Sequence, residues 1–163
     1  MRSKIIVFYI CSILFVAGCA STETKMYSAD DLKRVNSWVI DFQYQPGEVG
    51  VTSKSSGETE TTSTVGGRPA LDLTLRDEIL YSLQDEHGLN VSPTPQEGVG
   101  KILLHPLHFT FGGIHSVRVV IQDADGKTLA RIKVENGDRN ATFKKVDDFA
   151  EYAADSIAAT LNQ

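Results

Sequence analysis

Apolar and polar positions alternate from Val35 to Gln45: Trp38, Ile40, Phe42 and Tyr44 fall on one face, and Ser37, Asp41 and Gln43 on the other. Period two with aromatic enrichment predicts a strand. The period then changes. Leu71, Leu75, Ile79 and Leu83 recur every four residues with Leu80 beside them, which predicts a helix with one buried stripe. Gly88 follows as its left-handed stop. Leu89 to Pro93 has the length of a short strand. Ile102 to Phe111 is apolar and β-prone, and Pro106 within it points to an edge position or a bulge, because proline has no N–H for a ladder. Val117, Val119 and Ile121 alternate, Asp123-Ala124-Asp125-Gly126 turns, and Leu129 to Val134 return. Asp-Gly between alternating runs predicts a hairpin. A last helix opens at Asp147-Asp148, with Glu151 placed as in a capping box, and Phe149, Ala153, Ile157 and Leu161 form its stripe.

The order β-α-β-β-β-β-α predicts an α+β fold. Two helices on one face of a mixed sheet of about four to five strands make a two-layer sandwich. Residues 35–163 suffice for one domain. Inside it, residues 46–69 are rich in Gly, Ser and Thr and nearly free of apolar side chains. Either this long stretch is mobile, or Val51 to Val65 forms a polar hairpin turning near Ser56-Gly57.

The N-terminus follows a different pattern. Arg2 and Lys4 precede an apolar run, Ile5 to Ala17, thirteen residues broken only by Ser12. A spanning helix needs about 20 apolar residues. Thirteen suits the apolar region of a secretory signal peptide. The run ends in Val16-Ala17-Gly18-Cys19, an aliphatic residue, two small residues and a cysteine. This segment resembles the lipobox of bacterial lipoproteins. The resemblance implies that residues 1–18 are a lipoprotein signal peptide, cut between Gly18 and Cys19. It also implies that the Cys19 thiol carries diacylglycerol and its new amine a further acyl chain such as palmitate. Ala20, where an aspartate would favour the inner membrane, implies an outer-membrane anchor on the periplasmic face. Two or more acyl chains hold stably, at about 0.8 kcal/mol per buried CH₂. Residues 19–34, polar and poor in apolar side chains, read as a lipid-anchored flexible tether reaching on the order of 20 Å.

Composition then narrows the chemistry. The resemblance implies that Cys11 leaves with the signal and Cys19 is lipidated, so the mature chain would have no thiol for a disulfide. Without Arg2 and Lys4 it carries 14 basic against 21 acidic residues, a net charge of −7. That balance argues against nucleic acid or anionic lipid head groups as partners, since both require a basic patch.

Candidate sites each have a simpler reading. His105, His108 and His115 lie close in sequence, but His105 and His108 point to opposite faces of a regular strand, so one metal does not easily hold both. Asp123-Ala124-Asp125-Gly126 begins like a calcium loop, but Val134 stands where a ligating glutamate belongs. Gly98-Val99-Gly100-Lys101 is followed by Ile102 instead of a Ser or Thr, and by a strand instead of a helix, unlike a phosphate loop. Trp38 reads as core. No catalytic, cofactor or metal residue is assigned. The element order, with its Asp123–Lys127 turn, is similar to small periplasmic domains of outer-membrane lipoproteins. Those of the lipopolysaccharide-assembly, curli-secretion and penicillin-binding-protein-activator types are examples. The expectation is a non-enzymatic, lipid-anchored envelope adaptor or assembly factor that binds an envelope protein or glycan. The alternative is a periplasmic ligand-binding or enzyme-inhibiting module acting through 46–69.

Overall fold

A computed structural model describes residues 20–45, 50–54, 60–64, 68–108, 113–137 and 145–163. Val16, Ala17, Gly18 and Cys19 lie outside the described residues, as does the Ser56-Gly57 turn.

The chain begins with β1 (Ser21–Met26) and a short helix, α1 (Ala29–Leu32), and continues into β2 (Trp38–Phe42). Strands β3 (Gly50–Lys54) and β4 (Glu60–Thr64) pair antiparallel as a separate two-stranded sheet, so the hairpin is the alternative adopted in the polar stretch. Next come α2 (Pro69–Asp85), β5 (Val91–Ser92), β6 (Gly100–His108), β7 (Ile114–Gln122), β8 (Thr128–Glu135) and α3 (Val146–Leu161). The main sheet has six strands in the order β1-β8-β7-β6-β2-β5. Strands β5, β2 and β6 run parallel, and the other pairs are antiparallel.

The fold is α+β, as the pattern predicts, with more elements than expected. Among the described residues the main sheet has six strands instead of four to five, and there are three helices instead of two. The largest correction concerns the tether. Residues 21–26 are a strand, paired residue for residue with β8 from Ser21↔Glu135 to Met26↔Ala130. Polar composition concealed this because β1 is an edge strand whose exposed positions need no apolar side chains. Its ladder and the bond from Thr22 Oγ1 to Tyr152 Oη on α3 (3.4 Å) hold it.

One core lies between the sheet and the helices. Period two sends Ile40, Ile102, Leu104, Val119, Ile121 and Ile132 to the same side, all buried. Leu75, Ile79 and Leu83 of α2 and Phe149, Ala153 and Ile157 of α3 meet them in a single cluster. Each such aliphatic side chain contributes about 1.5–3 kcal/mol by leaving water. Ala150, Ala154 and Ala158 are also buried, and their small side chains let α3 lie close to its neighbours. Trp38 belongs to this core. Tyr44 does not: the alternation ends with β2, and Tyr44 is 52% exposed.

Local devices shape the sheet. Pro106 sits on an interior strand, yet it lies beyond the last β2–β6 pair, Phe42↔Leu104, where β6 has β7 alone as its ladder partner. A bulge follows at once between Leu107 and His108, which leaves His115 as the extra residue of β7. Buried Asn136 clasps it, donating from Nδ2 to the Ile114 carbonyl at 3.0 Å and from its backbone N–H to the His115 carbonyl at 2.9 Å. A second bulge makes Leu129 the extra residue of β8, so Leu129 and Ala130 are both buried. At the end of α2, Gly88 adopts φ +63° and the Leu89 N–H bonds back to the Leu83 carbonyl at 2.9 Å. The capping box is absent: Lys145 occupies the N-cap of α3 and makes no side-chain cap bond. Asp147 and Asp148 lie in the first turn, where the helix dipole favours them.

Candidate binding site on the open sheet face

The face of the sheet opposite α2 and α3 receives the alternate residues. Neither long helix lies on it. Register places these residues in cross-strand rows. One row runs Glu23, Lys133, Arg118, His105 across β1, β8, β7 and β6. The next runs Lys25, Arg131, Val120, Leu103. Tyr27 closes the β1 side and Gln43 and Tyr44 the β2 side, and these groups, with both rows except Leu103, line a hollow of about 480 Å³. That volume lies within the roughly 300–1,000 Å³ of ordinary ligand sites.

The hollow's electrostatics are unusual for an acidic chain. Lys25 stands directly opposite Arg131, and Arg118 directly opposite Lys133. Like charges facing each other across strands are destabilising. Lys133 is relieved by Glu135, 2.5 Å away, and this hydrogen bond from Lys133 lowers the Glu135 pKa despite partial burial. Lys25 and Arg131 both lie over the Tyr27 ring, at 5.3 and 5.9 Å from its centroid. Among the described residues, none of Lys25, Arg118 and Arg131 makes an ion pair. Burial lowers the His105 pKa, and the facing Arg118 lowers it further, against a weaker opposing pull from Asp72. Tyr44 meets His105 edge-on, with ring centroids 4.7 Å apart. Cations on a rigid sheet, flanked by half-exposed tyrosines, can hold an anionic surface or ligand.

The histidines do not converge. His105 faces the hollow, whereas His108 faces the helices, as the odd spacing predicts. His108 Nε2 lies 2.8 Å from the Asp72 carboxylate; the Asp72 side chain is buried and that of His108 is 9% exposed. His115 is exposed at its bulge. His87 Nε2 lies 3.0 Å from Asp155 and links α2 to α3. Among the described residues, no group of three or more His, Cys, Asp or Glu side chains is placed to hold a metal. The Asp123 carboxylate accepts the backbone N–H groups of Asp125 (3.1 Å) and Lys127 (2.8 Å), and Gly126 adopts φ +84°, so the acidic loop is a turn closed on itself. Gly100 is accounted for by packing. It pairs with Trp38, and a Cβ there would lie 2.5 Å from the indole.

Two features escaped the reading of the sequence. The basic rows were hidden by the net charge, although Arg118, Arg131 and Lys133 all occupy outward positions of alternating strands. Asp72 was passed over, although it precedes Leu75 by three and Ile79 by seven and is therefore in phase with the buried stripe.

No family model matches the chain, and no curated protein is significantly similar to it. No described helix is long and apolar enough to cross a membrane.

Proposed function

We propose that the chain is a lipid-anchored cell-envelope adaptor, held through Cys19 on the periplasmic face of the outer membrane. It acts by contact, without catalytic chemistry of its own. The observation that carries the contact surface is the open sheet face, where Lys25, Arg118 and Arg131 stand beside Tyr27 and Tyr44 without ion pairs among the described residues. Four cations concentrated there in a chain of negative net charge favour an anionic envelope protein or glycan. The lipobox supports the anchor. Confinement to a membrane raises the effective concentration of a weak contact surface. A second reading, a ligand-binding or inhibitory module acting through 46–69, draws on the β3–β4 hairpin, which is hydrogen-bonded apart from the main sheet.

One experiment tests both levels. Cys19→Ala should leave an unprocessed precursor, whereas the parent should show a triacylated Cys19 at its N-terminus by mass spectrometry. In native membranes, Arg118→Glu with Arg131→Glu should lower crosslinked partner recovery at least several-fold, with the melt unchanged. Full recovery by that variant, with loss on deleting residues 51–65, would transfer the function to the hairpin.

A further inference from the structure

The two faces of the molecule carry opposite charge. The exposed side of α2 presents Asp77, Glu78, Asp85 and Glu86. The exposed side of α3 presents Asp147, Asp148, Glu151 and Asp155. Against these, α2 has a single cation, Arg76, already bonded to Asp77 at 2.7 Å, and α3 has none. The sheet face has the reverse balance, with the two opposed cation pairs described above. The exposed large hydrophobic residues are divided likewise. Tyr27 and Tyr44 lie on the sheet side, and Leu73 and Tyr81 on α2.

From this segregation we infer that the partner the open sheet face fits is the helical layer of a second copy of the same chain, a reading that rests on the contact surface proposed above. Charge complementarity carries it, and shape agrees. The hollow spans β1 to β2, four strand spacings or about 19 Å. Two packed helices, each about 10–12 Å across and 8–10 Å apart, form a convex layer of about the same width. Sheet face and helical layer are opposite sides of one sandwich, so joining them displaces each copy along the sheet normal. Such a contact is heterologous and leaves a free face at each end, which gives a row instead of a closed dimer.

The test uses the full lipidated chain in membranes, with a zero-length carbodiimide crosslinker that joins lysine to carboxylate only in direct contact. Mixed ¹⁴N and ¹⁵N populations separate links between copies from links within one. The expected result is a ladder of dimers and longer species at low salt, with Lys25 or Lys133 joined to carboxylates of α2 or α3. It should fade at about 0.5 M salt as screening shortens the electrostatic range. Arg118→Glu with Arg131→Glu makes both faces acidic, and Glu78→Lys with Asp85→Lys turns the exposed side of α2 net basic, with three cations against Asp77 and Glu86. Each alone should lose the ladder at least several-fold, and a mixture of the two should restore it. The neutral versions, Arg118→Gln with Arg131→Gln and Glu78→Gln with Asp85→Asn, should also lose it. They serve in place of any reversed variant whose melt is altered. A ladder indifferent to these changes, or a folded mixture that fails to restore it, overturns the inference. Absence of any ladder while the sheet-face variant still loses an envelope partner overturns self-association alone and leaves the adaptor reading standing.

Discussion

At the scale of single residues, two positions show how neighbours fix identity. Gly100 has no side chain because Trp38 fills the space beside it, with the Val35 methyl 2.7 Å from where a Cβ would sit. Gly100→Ala should cost about 1–3 kcal/mol by overpacking, read as a lower denaturation midpoint with unchanged slope. An unaltered midpoint would mean that the indole moves aside freely. His105 sets an acid limit. Burial, then Arg118, depresses its folded pKa below the ordinary value, so its stabilising contribution is complete above pH 6.5 and is lost as pH falls through the folded pKa. Asp31, bonded to Lys127 and Ser28, and Glu135, bonded to Lys133, are depressed carboxylates whose contributions go only as pH falls below their ordinary values near 4. Melting temperature should therefore fall in two stages on acidification, and His105→Gln should flatten the first and spare the second.

At the scale of elements, the informative case is β1. Its ladder to β8 and its bonds to α3 predict that deleting residues 20–27 lowers the melting temperature by several degrees and speeds amide exchange in β8. A free tether would leave both unchanged. The elements legible in the sequence were those whose two faces differ chemically. Trp38-Ile40-Phe42, Val117-Val119-Ile121 and the Leu75-Ile79-Leu83 stripe each sort apolar from polar side chains at a fixed period. β1 has no such contrast, because Ser21 to Lys25 are all exposed and Met26 alone packs against the core. Its strand character comes from β8, a partner that local pattern cannot reveal. The β3–β4 hairpin was visible only as an alternative for the same reason. The basic site was legible position by position but not as a patch, since its rows come together only through the register of four strands.

At the scale of the whole molecule, the same ladder bears on the order of folding. Ser21 pairs with Glu135, so the strand earliest in the sequence has its partner more than a hundred residues further along the chain. Closing so long a loop is entropically costly, and contacts of high sequence separation form late. Until β8 has emerged and joined β7, residues 20–26 have no edge to dock on and remain extended. In the proposed lipoprotein this delay keeps Cys19 within reach of the enzymes that acylate and cut beside it. Docking of β1 then holds the chain from Ser21 onward on the edge of the sheet, which in that proposal ends the access.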